Sequence, residues 1–447
     1  MPPDSLRIAL ISEHASPLAT LGGVDAGGQN IYVDQVARAL ARRGHCVDVL
    51  TRRDAPDLPP VVDLQPGVRV LHVNAGPPQF VPKEQLLEHM PEFTRRATRM
   101  LATDDPREAC DLLHANFFMS GLVGIRLARA FSLPLAVTFH ALGLVRREHQ
   151  GSADAFPPER IDIERTLVQQ ADALIAECPQ DRADLMRLYG ARPSRISTVP
   201  CGVDTQLFAP GDKTTARRAL GWADDEFIVL QLGRLVPRKG IDNVILALAR
   251  LPKTLRARLV VVGGDSPEPD ERATPEIARL RAIAQQAGVA DRVTFTGQRP
   301  RQRLPAYYVG ADVFVTTPWY EPFGITPLEA MACGTPVIGS AVGGIRHTVA
   351  PGVSGSLVPP RDPEALAAEL LRLQTHPQVA RALGRGGVQR VRTLFTWDRV
   401  AAELAAVYRA LAPAARPQRR LQAAAAMAAA AARTGTPLVA AAARLAP

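Results

Sequence analysis

The chain has 447 residues, too many for one ordinary core, so two or three domains are expected and two is the better fit. Apolar residues at 47% and charged residues at 22% exclude a largely unfolded chain, and a longest apolar run of ten residues (AAAAMAAAAA, 423–432) is too short and too weakly apolar for a membrane span. The net charge of +9 is scattered and aromatics are only 5%, which argues against a nucleic-acid stripe and for anionic small ligands, with weak contact to an acidic membrane surface left open.

MPPDSLRIALIS, with an early acid and a short apolar run, reads as a first strand and not as a signal peptide. Five cysteines (Cys46, Cys110, Cys178, Cys201 and Cys333) without C-x-x-C spacing argue against a disulfide framework and for the reducing cytosol. RIALIS (7–12) leads into the glycine-rich loop LGGVDAGGQN and then a helix with Tyr32, Val36 and Leu40 on one face. CVDVLTR, VRVLHV (68–73), DLLHAN (111–116), PLAVTFHA (134–141), ALIAEC (173–178) and ISTVPC (196–201) are further buried-strand candidates.

Turn formers gather at GVDTQLFAPGDK (202–213), and a second alternating set follows: FIVLQLG (227–233), RLVVVGG (258–264), RVTFTG (292–297), DVFVTT (312–317) and PVIGS (336–340). The expected fold class is therefore α/β, with two doubly wound halves and not one barrel. TWDRVAAELAAVYRAL (396–411) reads as a helix with Val400, Leu404, Val407 and Leu411 at core spacing. The expected division is 1–205, 206–395, a helix over 396–412, and an Ala/Arg/Pro-rich tail over 413–447 that cannot bury enough surface to order itself.

Three stretches carry chemistry. In VDAGGQN (24–30), Gly27 and Gly28 lie between strand and helix, where bare backbone can approach a phosphate, although the G-x-G-x-x-G spacing is missing. GRLVPRKG (233–240) follows the first strand of the second half and offers Arg234 as a planar fork and Lys239 as a point charge, a pair suited to a diphosphate. EPFGITPLE (321–329) places two carboxylates around a turn that feeds a helix, whose N-terminus favours an anion. Thr326, Pro327 and Glu329 also fit a capping box, so Glu329 has a structural reading; Glu321 has none.

Together these stretches resemble the retaining glycosyltransferases of the GT-B type in the large group 4 family, over nearly the whole chain to about Leu411. The branch of sucrose-phosphate synthase, sucrose synthase and the mycothiol inositol-phosphate glycosyltransferase is the most similar, through SEHASPLATLGGVDAGGQNIYV, TFHALG and ACGTPVIGSAVGGI. The resemblance implies two Rossmann-like domains facing across a cleft, the acceptor domain first and the donor domain second, with the last helix packing back on the first domain. It implies a nucleoside diphosphate sugar as donor, UDP- or GDP-linked, a small or lipid-linked hydroxyl acceptor, and no required cofactor. Gly27 and Gly28 would meet the diphosphate, with Arg234 and Lys239 neutralising it. Glu329 would bind ribose, Arg299 the base, and Glu321, Phe323, Gly324 and Ile325 the sugar, with His140 near the reacting carbon.

Asn30, Lys83, Phe117 and Arg160 fall on the acceptor side, with Phe117 where tyrosine is expected and Ala141 where threonine is expected. No D-x-D occurs, so the arginine and lysine stand in for a metal, and no carboxylate nucleophile is evident. An epimerase or phosphorylase on the same architecture, or an idle nucleotide-sugar binder, are the competing readings.

Overall fold

The computed structural model describes residues 5–19, 27–103, 105, 108–151 and 154–412. The proposed tail over 413–447 and the first part of the VDAGGQN loop lie outside the described residues.

The first sheet comprises β1 (Arg7–Ile11), β2 (Cys46–Arg52), β3 (Val61–Gln65), β4 (Val68–Val73), β5 (Leu112–Asn116), β6 (Leu135–Thr138), β7 (Ala173–Ala176) and β8 (Ile196–Thr198), in the order β3-β4-β2-β1-β5-β6-β7-β8. Its strands are parallel except β3, which runs antiparallel to β4. Around it lie α1 (Gly28–Arg42), α2 (Met90–Leu101), α3 (Phe118–Phe131), α4 (Gly143–Gln150), α5 (Arg160–Gln170) and α6 (Pro179–Tyr189). The second sheet comprises β9 (Phe227–Leu232), β10 (Ala257–Val262), β11 (Val293–Phe295), β12 (Val313–Thr316), β13 (Val337–Ser340) and β14 (Gly355–Val358), all parallel, in the order β11-β10-β9-β12-β13-β14. With it run α7 (Lys213–Leu220), α8 (Ile241–Arg250), α9 (Pro275–Gln286), α10 (Leu304–Gly310), α11 (Ile325–Ala332), α12 (Ile345–Thr348), α13 (Pro363–Thr375) and α14 (Pro377–Leu394).

The central strands read as apolar runs because both faces are covered: every residue of β5, β6 and β7 is buried. Two edge strands escape the sequence reading. VVDLQ (β3) sits among prolines and has no fully buried residue, so it has no continuous apolar run, and GSLV (β14) is short and opens on glycine after a turn. The segment PLAVTFHA stops being strand at Thr138, because His140 takes a left-handed φ of 56° and turns the chain. Likewise ISTVPC ends at Thr198, just before Pro200, which cannot donate to a ladder.

The chain returns to the first half through α15 (Trp397–Leu411), capped by Thr396, whose Oγ1 accepts from the Arg399 amide. α15 packs on α1, with Trp397 edge-on to Tyr32 at 6.0 Å, and Tyr408 reaches the buried His114 at 2.6 Å from its Nδ1. The domain crossing is pinned where the Val203 amide donates to Phe395 O at 2.8 Å. Among the described residues no helix is long and apolar enough to cross a membrane.

Candidate active site

Both sheets present the C-terminal ends of their strands to the cleft, where ligands of doubly wound folds bind. On the second domain, β9 hands over to Arg234 and to a tight turn at Pro237–Lys239 closed by Gly240. Only glycine suits that end: φ is +65°, and an added Cβ would lie 2.0 Å from Thr317 O. The turn sets Lys239 Nζ 2.5 Å from Glu321 Oε2, with Arg238 Nη1 at 3.9 Å from the same oxygen. Burial alone would raise the Glu321 carboxyl, but Lys239, then Arg238 and Arg234, hold it below the usual carboxylate value. Burial also lowers the Lys239 ammonium against the pull of Glu321. Arg234 is exposed and makes no ion pair with any described residue, so its charge is available to a ligand.

The EPFG turn is held from behind by the Gly344 amide, which donates to Glu321 O at 2.9 Å. The capping-box expectation fails. Gly324, at φ 94°, is the N-cap of α11, so Thr326 and Pro327 already lie inside the first turn. The Glu329 carboxylate instead accepts from the Tyr308 hydroxyl at 2.9 Å and lies 4.0 Å from Arg301 Nη2. Burial pushes its pKa up to about 7, against Arg301 and Tyr308. Arg301 keeps Nε and Nη2 buried without a hydrogen-bond partner. Arg299 is anchored by Pro267 O at 2.6 Å and Tyr307 Oη at 3.1 Å, beside the Tyr308 that holds Glu329.

Across the cleft, Gly27 caps α1 and Gly28 begins it. A Cβ on Gly28 would meet Ile325 Cδ1 at 3.5 Å, so the N-termini of α1 and α11 converge from opposite domains. The buried Asn30 is spent on this turn: its Oδ1 accepts from the Gly27 amide at 2.9 Å and its Nδ2 donates to Ser16 O at 3.0 Å. His140, after β6, has Nδ1 3.0 Å from Glu177 Oε1 and Nε2 3.0 Å from Asn116 Oδ1, with Tyr32 edge-on at 4.8 Å. The fully enclosed Glu177 also accepts from Cys201 Sγ at 3.0 Å; burial alone would raise its pKa, but His140 brings it below the usual carboxylate value.

Elsewhere in the first domain, Phe117, expected on the acceptor side, stands at φ 85° and packs with Phe118 and Phe156 around the Arg160 guanidinium, 4.9, 4.9 and 4.6 Å from the three rings. Arg160 is buried, bonded through Nε to Glu164 at 2.8 Å and to Ala141 O, with Nη1 unpartnered. Burial draws Lys83 down to about 8, with Arg234 and Arg146 pushing the same way and Glu84 opposing. Cations of both domains therefore share one electrostatic neighbourhood. Beside it, a pocket of about 250 Å³ opens between Leu142, Val145 and Asp181 of the first domain and Tyr320, Glu321 and Arg346 of the second.

Glu177, Asn116, Tyr308, Arg301, Arg238 and Arg146 were not reached from the sequence. Arg238 had a signal, being next to Lys239; the others become visible only when distant strand ends meet. Among the described residues no three His, Cys, Asp or Glu side chains are grouped so as to hold a metal ion.

Facing Rossmann-like domains with a cationic, carboxylate-lined cleft define a glycosyltransferase of the GT-B class. Residues 212–390 match the family model described as glycosyl transferases group 1, and residues 26–207 match glycosyltransferase family 4. The D-inositol 3-phosphate glycosyltransferase of Acidothermus cellulolyticus is 41% identical over 409 residues, 90% of each chain, and that of Nocardiopsis dassonvillei is 40% identical over 418 residues, 92% of this chain and 96% of the other. Sucrose-phosphate synthase from Thermosynechococcus elongatus superposes with a TM-score of 0.83 at 39% identity, covering 91% of this chain and 99% of that one. Anabaena HepE in complex with UDP and glucose shares the fold, at a TM-score of 0.72 and 22% identity over 91% of this chain and all of that one. The chain belongs to the group 1/family 4 glycosyltransferases and is an enzyme of the transferase class.

Proposed function

We propose that the protein transfers a hexose from a UDP- or GDP-linked sugar to a hydroxyl of a phosphorylated polyol or sugar, with retention and without a metal. The observation that carries this reading is the convergence of the α1 and α11 N-termini, with Lys239, Arg238 and Arg234 beside them. Backbone N–H groups and cations gathered at one point suit a diphosphate.

Breaking the sugar–phosphate bond leaves growing negative charge on the departing nucleoside diphosphate. Arg234 and Lys239 meet that charge, so they stabilise the transition state more than the ground state. Lys239 then exchanges part of its contact with Glu321 for phosphate, which frees Glu321 to accept from a sugar hydroxyl. Glu329 accepts from ribose, Arg299 flanks the base, and His140 faces the sugar. The acceptor hydroxyl attacks from the leaving-group face and gives its proton to the departing phosphate.

The names of the relatives, D-inositol 3-phosphate glycosyltransferase and sucrose-phosphate synthase, support a phosphorylated acceptor. Phe117 and Ala141 offer no side-chain hydroxyl there, so Lys83, Arg146 and Arg234 supply the phosphate's countercharge. Five free cysteines accord with the cytosol as the compartment. The basic tail on which a membrane contact would rest lies outside the described residues.

Lys239→Ala tests the diphosphate assignment: kcat should fall roughly 10²–10³-fold, as for loss of one oxyanion donor. Turnover at the wild-type rate would refute it. A covalent glycosyl-enzyme trapped on any variant would refute same-face attack.

A further inference from the structure

The pocket of about 250 Å³ lies beside the proposed chemistry and is not used by it. Its walls come from α4 and α6 of the first domain and from the segments 319–322 and 341–346 of the second, so one occupant would touch both domains. His140, Lys239, Gly324 and Ile325, which frame the proposed place of the transferred sugar, do not line it. Glu321 stands between the two spaces. Its carboxylate meets Lys239, while its backbone is covered by Gly344, whose amide donates to Glu321 O at 2.9 Å, and by Gly343, where an added Cβ would lie 2.1 Å from the same oxygen.

From the second domain, the half-buried Trp319 enters the wall. Arg361 lies over its ring at 4.1 Å and holds a left-handed φ of 58°, a strained state that a residue with a side chain keeps only where its surroundings impose it. The indole Nε1 has no hydrogen-bond partner among the described residues and is not sealed from solvent. Arg346 donates from Nε to Ala341 O at 2.5 Å and makes no ion pair with a described residue, so its outer nitrogens are open. From the first domain, Asp181 Oδ2 accepts from the Glu177 amide at 2.9 Å, and Asp184 Oδ1 accepts from Gln180 and Arg187, both at 3.1 Å. The second oxygen of each carboxylate has no partner among the described residues.

Arg187 is held by Glu148 and Asp184 and adds no free charge. Burial, with Glu177 adding to it, lifts Asp181 to about 7, so the first-domain wall is less negative than its carboxylates alone imply. An indole and a guanidinium that donate, two carboxyl groups that accept, and an aromatic ring suit a pyranose, whose hydroxyls each donate and accept while its C–H face rests on the ring. A phosphate would meet Glu148, Asp181 and Asp184, and a bare cation would meet Arg346. The volume falls below the roughly 300–1,000 Å³ of sites for larger ligands, which fits a single ring.

We propose that this pocket is a second sugar site, which binds a neutral monosaccharide between the domains and apart from donor and acceptor, with Trp319, Arg346, Asp181 and Asp184 as its binding residues. It goes beyond the transferase reading and stands on the pocket's own groups.

Saturation-transfer NMR on the full chain, with UDP present, tests it with D-glucose, N-acetyl-D-glucosamine and myo-inositol as probes and inorganic phosphate as the charged comparison. At least one of the three neutral probes should bind saturably, with a Kd that rises at least tenfold in Arg346→Ala and in Trp319→Leu and stays within twofold of wild type in His140→Ala. The Kd for UDP should stay within twofold in Arg346→Ala and Trp319→Leu, which shows that both variants keep their fold. Binding that is lost in His140→Ala and kept in Arg346→Ala would place the probe where the transferred sugar sits and overturn the second site. Saturable binding of none of the three, or phosphate binding that Arg346→Ala abolishes, would overturn it as well. A wild type that binds the monosaccharide yet forms no product from nucleotide sugar and acceptor keeps this site and refutes the transferase reading instead.

Discussion

Glu321 and Glu329 stand in one short motif, yet the fold gives them opposite protonation behaviour. Glu321 is held ionised by three cations, whereas burial lifts Glu329 to about 7 from an ordinary 4.5. Because that folded value is raised, the stability tied to the protonated form is fully present below about 4.5 and is lost as pH rises through about 7. Under the proposed role of Glu329, ribose hydroxyls donating to it would favour the ionised form, so UDP should bind more tightly at pH 8 than at pH 6 and release protons on binding. Calorimetry in two buffers of different ionisation enthalpy measures this; the same slope in Glu329→Gln would assign it elsewhere. Glu177→Gln should lower kcat by roughly tenfold with donor affinity nearly intact, the usual cost of removing a partner that orients a working histidine. A kcat within twofold of wild type would mean that Asn116 alone fixes the ring. Sequence spacing reached Glu321, Glu329 and Lys239 because each belongs to a compact motif. It could not reach Glu177, which is joined to His140 only because β6 and β7 are neighbours. The capping-box alternative for Glu329 fails because the T-P-x-E pattern does not show that Gly324 caps the helix two residues earlier.

At the scale of elements, buried parallel strands were legible because two covered faces demand continuous apolar runs, as in β2 and β4, whose ends fall where the sequence put them. Of the edge strands, β8 and β11 were legible in ISTVPC and RVTFTG, whereas β3 and β14 were not, since a partly exposed strand such as β3 has no such demand on its composition. The turn before α8 was legible as chemistry in Lys239, while the strain in it was not. Gly240 and Gly221 have nearly equal φ, +65° and +68°, but only Gly240 faces a wall, at Thr317 O. Gly221→Ala should therefore cost roughly 1–2 kcal/mol, the price of a left-handed Cβ, and Gly240→Ala roughly 1–3 kcal/mol more through displacement of the turn. Thermal denaturation of the two variants separates the terms. Equal losses would show that the turn yields freely, and Lys239 would then not be held by it.

For the whole molecule, the long excursion from β14 through α13 and α14 to α15 joins the second domain to the first, and its last turn enters the first domain's core. The Tyr408 hydroxyl meets His114, a histidine kept neutral by burial, which lowers it to about 3. Tyr408→Phe leaves that Nδ1 buried and unpaired, so it should destabilise the chain by about 1–3 kcal/mol, read as a lower urea midpoint at an unchanged slope. No change would mean that α15 is held by apolar packing alone. The domains also meet at the cleft, where the Tyr320 ring stacks on His149 at 5.0 Å next to Glu321. Transfer requires both walls of the cleft to act on one reaction. Incubation with UDP-glucose and UDP-N-acetylglucosamine, with and without D-inositol 3-phosphate, followed by mass spectrometry and NMR of the anomeric proton, tests it most directly. A glycosylated acceptor that keeps the donor's anomeric configuration, formed only when both substrates are present and without added metal, is the expected result. An epimerised or phosphorolysed donor in the absence of acceptor, or an inverted product, would contradict it.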